Sequence, residues 1–189
     1  MERCGWVGTD TIYLKYHDHE WGVPEYDSQA LWEKLVLDGF QAGLSWITIL
    51  KKRDAFRSAF VNFDPHIIAT WGPLEVEVLL KNAGIVRHRG KIEATIGNAQ
   101  AYLRLSGEMS FSERLWAYVG GRPLVGRYET LAQVPTQSPL SVQISKDLKE
   151  AGFKFCGPTI VYAWMEACGL FNNHTLGCYR HHEVRSMMR

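Results

Sequence analysis

The chain predicts an all-α fold: a single helical domain whose N- and C-terminal segments share one cluster of metal-ligating residue types. Three observations carry this. Apolar residues recur at helical spacing along most of the 189 residues, and no stretch alternates well enough to read as a strand. The breaks between periodic stretches fall on N-cap residues, on Pro at a first helical position, or on Gly. Near the C-terminus, His174 and Cys178 can share a metal with Cys4 and His17 from the opposite end.

Asp27 or Ser28 caps a helix carrying Leu31, Trp32, Leu35 and Val36, with Gly39 as its stop. The next begins near Ser45 and carries Ile47, Ile49, Leu50, Phe56 and Phe60. Asp64-Pro65 and Gly72-Pro73 each place Pro at a first helical position, and the second opens a run through Val76, Leu79 and Leu80 that ends at Gly84. Lys91 to Leu105 keeps helical spacing through Ile92, Ile96, Ala99 and Leu103. Ser112 to Val119 forms another helix, and the turn-rich stretch Gly120 to Gln137 is the longest loop. Ser138-Pro139 starts a helix bearing Val142, Ile144 and Leu148. Pro158 and Thr159 open the last clear helix, which ends near Gly169. There is no internal repeat and no low-complexity segment.

A chain of this length can bury a real core, and 46% hydrophobic with 22% charged residues is ordinary globular usage. The net charge of +1 gives no whole-molecule attraction to a polyanion, so any basic footprint must be local. The start, Met1-Glu2-Arg3-Cys4-Gly5-Trp6, has no apolar stretch of signal type, and no run approaches a membrane span. The expectation is a cytoplasmic monomer with no membrane attachment. In a reducing cytosol the four cysteines are expected in metal ligation or burial rather than disulfides.

The segment Gly152-Phe153-Lys154-Phe155-Cys156-Gly157 lies between two helices and is followed by Pro158-Thr159. It resembles the helix-hairpin-helix of base-excision repair glycosylases. Glycine lets backbone approach a phosphate where a Cβ would collide, and a helix N-terminus offers unpaired N–H groups to the anion. Gly152, Lys154, Gly157 and Thr159 are the candidate DNA contacts; the bland reading is a helix corner with Gly stops. Such glycosylases generally carry a catalytic Asp downstream of the hairpin, and the bifunctional ones a Lys early in the second helix. Here the last Asp is Asp147, before the hairpin, and Thr159 stands where the Lys would be. The remaining carboxylates are Glu150, Glu166 and Glu183. The resemblance implies a monofunctional hydrolase without the usual acid.

The N-terminal half is more specific. Arg3-Cys4-Gly5-Trp6, Tyr16-His17-Asp18, Glu20-Trp21-Gly22-Val23-Pro24, Gln41-Ala42-Gly43-Leu44-Ser45-Trp46 and Gly84-Ile85-Val86-Arg87-His88-Arg89-Gly90-Lys91 follow one another along the chain. In this order they resemble the 3-methyladenine DNA glycosylase I family, over Met1 to about Cys178. The resemblance implies hydrolysis of the N-glycosidic bond of 3-methyladenine in alkylated double-stranded DNA, leaving an abasic site with no lyase step. It implies a glycosylase domain over residues 1–180 and a C-terminal tail over 181–189. It also implies a structural Zn(2+) held by Cys4, His17, His174 and Cys178. By residue type alone, two thiolates and two imidazoles make a closed tetrahedral set, which suits a structural rather than a catalytic ion. The other reading of the same four has buried cysteines and hydrogen-bonded histidines. His181 and His182 are rival ligands, better read as solvated tail, and Cys156 and Cys168 read as core.

Trp6, Tyr13, Tyr16, Trp21 and Trp46 are dense around one acid, Asp38. A flipped-out base needs an aromatic slot to replace lost stacking, and alkylation at N3 makes the nucleoside cationic, which aromatic faces and a carboxylate both favour. Asp38 is therefore the candidate catalytic and base-reading acid. The bland reading makes the aromatics core, and Asp18 and Glu20 are the acids confusable with Asp38. The family usually has Glu where this chain has Asp38, so the carboxylate is one methylene shorter. Gln41 and Leu44 are candidates to fill the gap left by a flipped base. Lys51-Lys52-Arg53 and Arg87-His88-Arg89-Lys91 are candidate phosphate contacts. Two other functions fit the same residues: a glycosylase of different alkylated-base range, and a non-catalytic zinc-stapled DNA-binding module.

Overall fold

Local capping chemistry sets most helix starts in the computed structural model, which describes residues 1–187. Asp10 caps α1 (Thr11–His19), and Asp27 caps α2 (Ser28–Gln41), accepting from the Ala30 N–H at 2.8 Å. Ser45 precedes α3 (Trp46–Ala59), and Asp64 caps the short α4 (Pro65–Ile68). Pro73 opens α5 (Pro73–Leu80), and the His88 ring caps α6 (Arg89–Leu105). Ser110 and Glu113 cap α7 (Phe111–Ala117) reciprocally. Ser138 caps α8 (Pro139–Glu150), and Pro158 is the first residue of α9 (Pro158–Ala167).

The centre of the fold is α2, which packs against α3, α6, α7 and α9. Leu35 to Phe40 are all buried, so this stretch has no solvent face. A helix buried all round must sit inside the domain. The Trp164 indole on α9 donates to the Leu31 carbonyl at 2.9 Å, locking the two helices together. Trp32, Phe40, Phe56, Phe60, Phe63 and Ile92 complete the fully buried centre, each worth about 1.5–3 kcal/mol in removal from water.

Four features differ from the sequence expectation. Helix α1 has no apolar stripe to announce it; its buried residues are Tyr16 and His17. Helix α2 does not stop at Gly39. A Cβ there would lie 3.2 Å from the Phe155 carbonyl oxygen and 3.3 Å from its Cβ, so the glycine admits a close helix–hairpin contact. The stretch 120–137 contains β1 (Leu124–Val125), which pairs in parallel with β2 (Phe171–Asn172). Two residues are too few for alternation to show. Finally, α10 (Tyr179–Ser186) follows Cys178 and buries Arg180 and Val184. Residues 181–186 of the expected tail are thus helical, and residues 188 and 189 lie outside the described ones. His181 is not a free tail residue either: its ring bonds the Gly126 carbonyl at 3.0 Å.

Candidate metal centre and base pocket

Cys4 precedes α1, His17 lies in its last turn, and His174 and Cys178 flank the turn between β2 and α10. All four are buried, and their ligand atoms lie within 4.8 Å of one another. Cys178 Sγ is 3.4 Å from His17 Nε2 and 3.6 Å from His174 Nδ1, and Cys4 Sγ is 3.5 Å from His174 Nδ1. Tetrahedral zinc with ordinary Zn–S and Zn–N bonds would put neighbouring sulfur and nitrogen about 3.5 Å apart. The residues fit a structural Zn(2+), and the candidate ligands from the two ends meet.

The far ring nitrogens are also held. His17 Nδ1 donates to Asp18 Oδ1 at 2.8 Å, and His174 Nε2 donates to the Trp21 carbonyl at 3.1 Å. Arg3 grips both Asp18 oxygens at 2.8 Å and holds that carboxyl well below the usual range. Burial lowers the His174 pKa, favouring the neutral imidazole that a metal needs. The Cys4 thiol beside Cys178, then His17 and His174, favour thiolate at Cys178. Gly22, at φ +80°, allows the chain to pass the cluster; a Cβ there would lie 2.9 Å from His174 Nε2.

Beside this centre is a cavity of about 450 Å³. It brings together all five expected aromatics, Trp6, Tyr13, Tyr16, Trp21 and Trp46, with Asp38 and Gln41. Trp6 meets Trp21 and Tyr13 edge-on, with centroids 5.2 and 5.4 Å apart, and Tyr16 tilts against Trp46 at 5.5 Å. The wall leans on the metal centre, with Trp6 edge-on to His17 and Trp21 edge-on to His174 at 4.6 Å.

Asp38 projects from the central helix with both oxygens in different states. Oδ1 accepts from Lys34 Nζ at 2.6 Å, while Oδ2 is buried and accepts no hydrogen bond. Burial raises its pKa, and the Lys34 charge and hydrogen bond oppose the rise. The two confusable acids point elsewhere: Asp18 to Arg3 and His17, Glu20 to Arg53.

Sequence reasoning missed part of this cavity. Lys34 lines it one helical turn before Asp38, and its Nζ lies 3.8 Å from the centre of the Trp46 ring. The expectation of a single acid is corrected by Glu166, a second carboxylate in the lining. Its Oε1 accepts from Asn173 Nδ2 at 2.8 Å, and burial pushes its pKa up to about 7. The available signals were the Lys–Asp spacing of four on α2 and the shared α9 face of Thr159, Tyr162 and Glu166.

The hairpin runs from Ala151 to Gly157 between α8 and α9, with Gly152 at φ +104° and Phe155 at φ +54°. Asn98 braces it, accepting from the Lys154 N–H at 2.8 Å and donating to the Lys154 carbonyl at 3.1 Å. Ser145 donates to the Cys156 carbonyl at 2.6 Å. Gly152 and the Lys154 side chain are exposed, whereas Thr159 lines the cavity edge rather than the hairpin. Cys156 and Cys168 are buried in the core. Asn98→Ala should cost about 1–2 kcal/mol in urea unfolding.

Gln41 reaches from the cavity to the turn before α3, donating to the Leu44 carbonyl at 2.6 Å. Leu44 is outside the lining and 40% exposed. The basic runs do not form one free cationic face. Lys51 pairs with Asp10, Lys52 with the carbonyls of Ala83 and Gly84, and Arg53 with Glu20. Arg89 pairs with Glu77, and the buried Lys91 donates to the Phe40 and Ala42 carbonyls at the end of α2.

A model of the family described as methyladenine glycosylase matches residues 6–181. The chain is 53% identical over 180 residues to the DNA-3-methyladenine glycosylase 1 of Escherichia coli (strain K12), covering 94% of this chain and 96% of that protein. A crystal structure of 3-methyladenine DNA glycosylase I superposes with a TM-score of 0.92 at 50% identity, covering 94% of this chain and 98% of the other. The 3-methyladenine DNA glycosylase I from Staphylococcus aureus, solved for the structural basis of 3-methyladenine recognition, gives 0.92 at 43% identity, covering 95% and 96%.

Proposed function

We infer the roles of the pocket residues from the premise that this chain belongs to the methyladenine glycosylase family and is a monofunctional 3-methyladenine DNA glycosylase, hydrolysing the N-glycosidic bond in alkylated DNA. The carrying observation is Asp38. Placing a carboxylate on the buried face of a central helix is costly unless its oxygens are satisfied, yet Oδ2 has no partner. In our reading the exocyclic amine of the flipped-out base satisfies it.

The aromatic wall supplies the rest of the recognition. Trp46, Trp6 and Trp21 replace the stacking that the base loses on leaving the duplex, and Tyr13 and Tyr16 close the slot. The methylated nucleoside is cationic, so these ring faces and the Asp38 charge bind it more tightly than plain adenine. Methylation also makes the base a good leaving group. The residues then need only orient the nucleotide and admit a water, and normal purines, which lack that activation, stay intact. A zinc held by Cys4, His17, His174 and Cys178 would have no open position and would supply stability rather than chemistry. Thr159 has no amine with which to attack the sugar, in keeping with hydrolysis and no lyase step.

Gly152, Lys154 and Gly157 on the hairpin are our candidates to hold a phosphate, with Gln41 and Leu44 filling the gap in the duplex. Action as a monomer is part of the proposal. No helix of the described residues is long and apolar enough to cross a membrane; action in the cytoplasm is part of the same proposal. Incubation with methylated duplex DNA, followed by chromatography of the released bases, tests the lesion range. 3-Methyladenine and abasic sites are the expected products. Release of 3-methylguanine or bulkier adducts in preference would mean that the shorter acid has altered the range.

A further inference from the structure

The roles assigned above leave two charged cavity residues unused, Lys34 and Glu166. The Lys34 ammonium sits 2.6 Å from Asp38 Oδ1 and 3.8 Å from the Trp46 ring centre. One cation therefore engages both groups assigned to the base. A cation over an indole face and a charge-assisted hydrogen bond are each attractive. While the ammonium stays, a base cannot stack on that face of Trp46 or compete for Oδ1.

Lysine is long and flexible, and this side chain lines a cavity of about 450 Å³, which gives it room to move. A second carboxyl group lies in the same cavity. Glu166 on α9 feels the charges of both Lys34 and Asp38. Its Oε1 accepts from Asn173 Nδ2 at 2.8 Å. Burial pushes its pKa up to about 7, and a cation brought to it would favour its ionised form.

We propose that Lys34 is a resident competitor of the base: it occupies Asp38 and Trp46 in the base-free pocket, moves to Glu166 when a base enters, and returns as the product leaves. This rests on the reading of Asp38 and Trp46 given above. Lys34 is a positioning residue, since its effect is exerted through the two groups that it covers. Its displacement costs the same whichever base enters. For the uncharged free bases it therefore weakens ground-state binding uniformly, leaves the preference between them unaltered, and shortens the stay of the released base.

The test is titration of the parent, Lys34→Met, Glu166→Gln and the double variant with 3-methyladenine and with adenine at pH 8, followed by tryptophan fluorescence. Lys34→Met should bind both bases roughly tenfold more tightly, the order expected for loss of one desolvated cation–π competitor. Glu166→Gln should weaken both in the parent background and have no effect once Lys34 is Met, because the destination then has no traveller. Lys34→Gln should move affinity in the same direction if Met packs poorly. Unchanged or weaker binding by both Lys34 variants overturns the proposal, as does a Glu166→Gln effect that persists without Lys34. If Asp38→Asn binds 3-methyladenine as the parent does, the assignment of Asp38 is wrong and the Lys34 proposal falls with it. If Asp38→Asn loses affinity but the Lys34 variants gain none, the Lys34 proposal falls alone.

Discussion

Cys4→Ser and His174→Ala are each expected to release zinc and to destabilise the chain by about 5 kcal/mol, or roughly 10–20 °C in Tm. The size follows from how little else holds the N-terminal segment. Cys4, Val7 and Cys178 form a small buried cluster separate from the main core, with Trp6, Tyr13, Leu14, Trp21 and Tyr179 packed against it. A cluster of this size buries too little apolar surface to offset the entropy of ordering the chain around it. The metal supplies the difference by joining that segment to the residues before α10. Elemental analysis should give one zinc per chain, and thermal unfolding should give the loss. Freshly purified protein without zinc, melting where the zinc-loaded protein does, would contradict the assignment. Because Trp6 and Trp21 rest on the ligand imidazoles, base binding should be lost together with the fold. A stable, folded apo-protein that lost only activity would point instead to a catalytic ion.

Asp38→Asn is expected to weaken binding of free 3-methyladenine by about 1.5–3 kcal/mol, roughly one to two decades, with folding intact. The amide keeps the shape but removes the charge, and its NH₂ group opposes the amine of the base. Release of the base from methylated DNA should slow as well. The pH dependence supplies a second readout. Burial raises the Asp38 pKa, and the base is read by the ionised form. Parent affinity should therefore fall on acidification earlier than for an ordinary carboxylate, and that component should be missing from Asp38→Asn. Asp38→Glu, which keeps the charge and lengthens the side chain by one methylene, should bind as well as the parent or better. Equal binding by Asp38→Asn, with loss at Asp18 or Glu20, would move the role to another acid.

Helix starts were legible because they are local: Asp27, Ser45, Ser138 and Pro158 act within a few residues of themselves. Helix α1 was not, since its burial is decided by a metal ligand and aromatics whose partners lie elsewhere in the chain. Helix α10 was not for the same reason: Val184 is buried by the rest of the fold. Gly39 was misread as a stop because its role depends on a residue more than a hundred positions away. The five aromatics and Asp38 could be picked out together because they cluster in the first fifty residues. Lys34 stood in the same stretch, four residues before Asp38, and its spacing went unread; Glu166 could not be placed, since the cavity is closed by α9 and only packing brings that helix to α2.

The contact between Gly39 and Phe155 sets a length. Asp38 is the neighbour of Gly39, and Phe155 is the neighbour of Lys154, so the acid and the hairpin tip are fixed to one another by backbone in van der Waals touch. On the reading proposed here, a nucleotide gripped by its phosphate at the hairpin presents its base at one reach and no other. A base still partly stacked in the duplex falls short of the carboxylate, and a bulky adduct overshoots into the far wall. The enzyme thus works as a gauge as well as a chemical sensor, and its calibration is the side chain that residue 39 lacks.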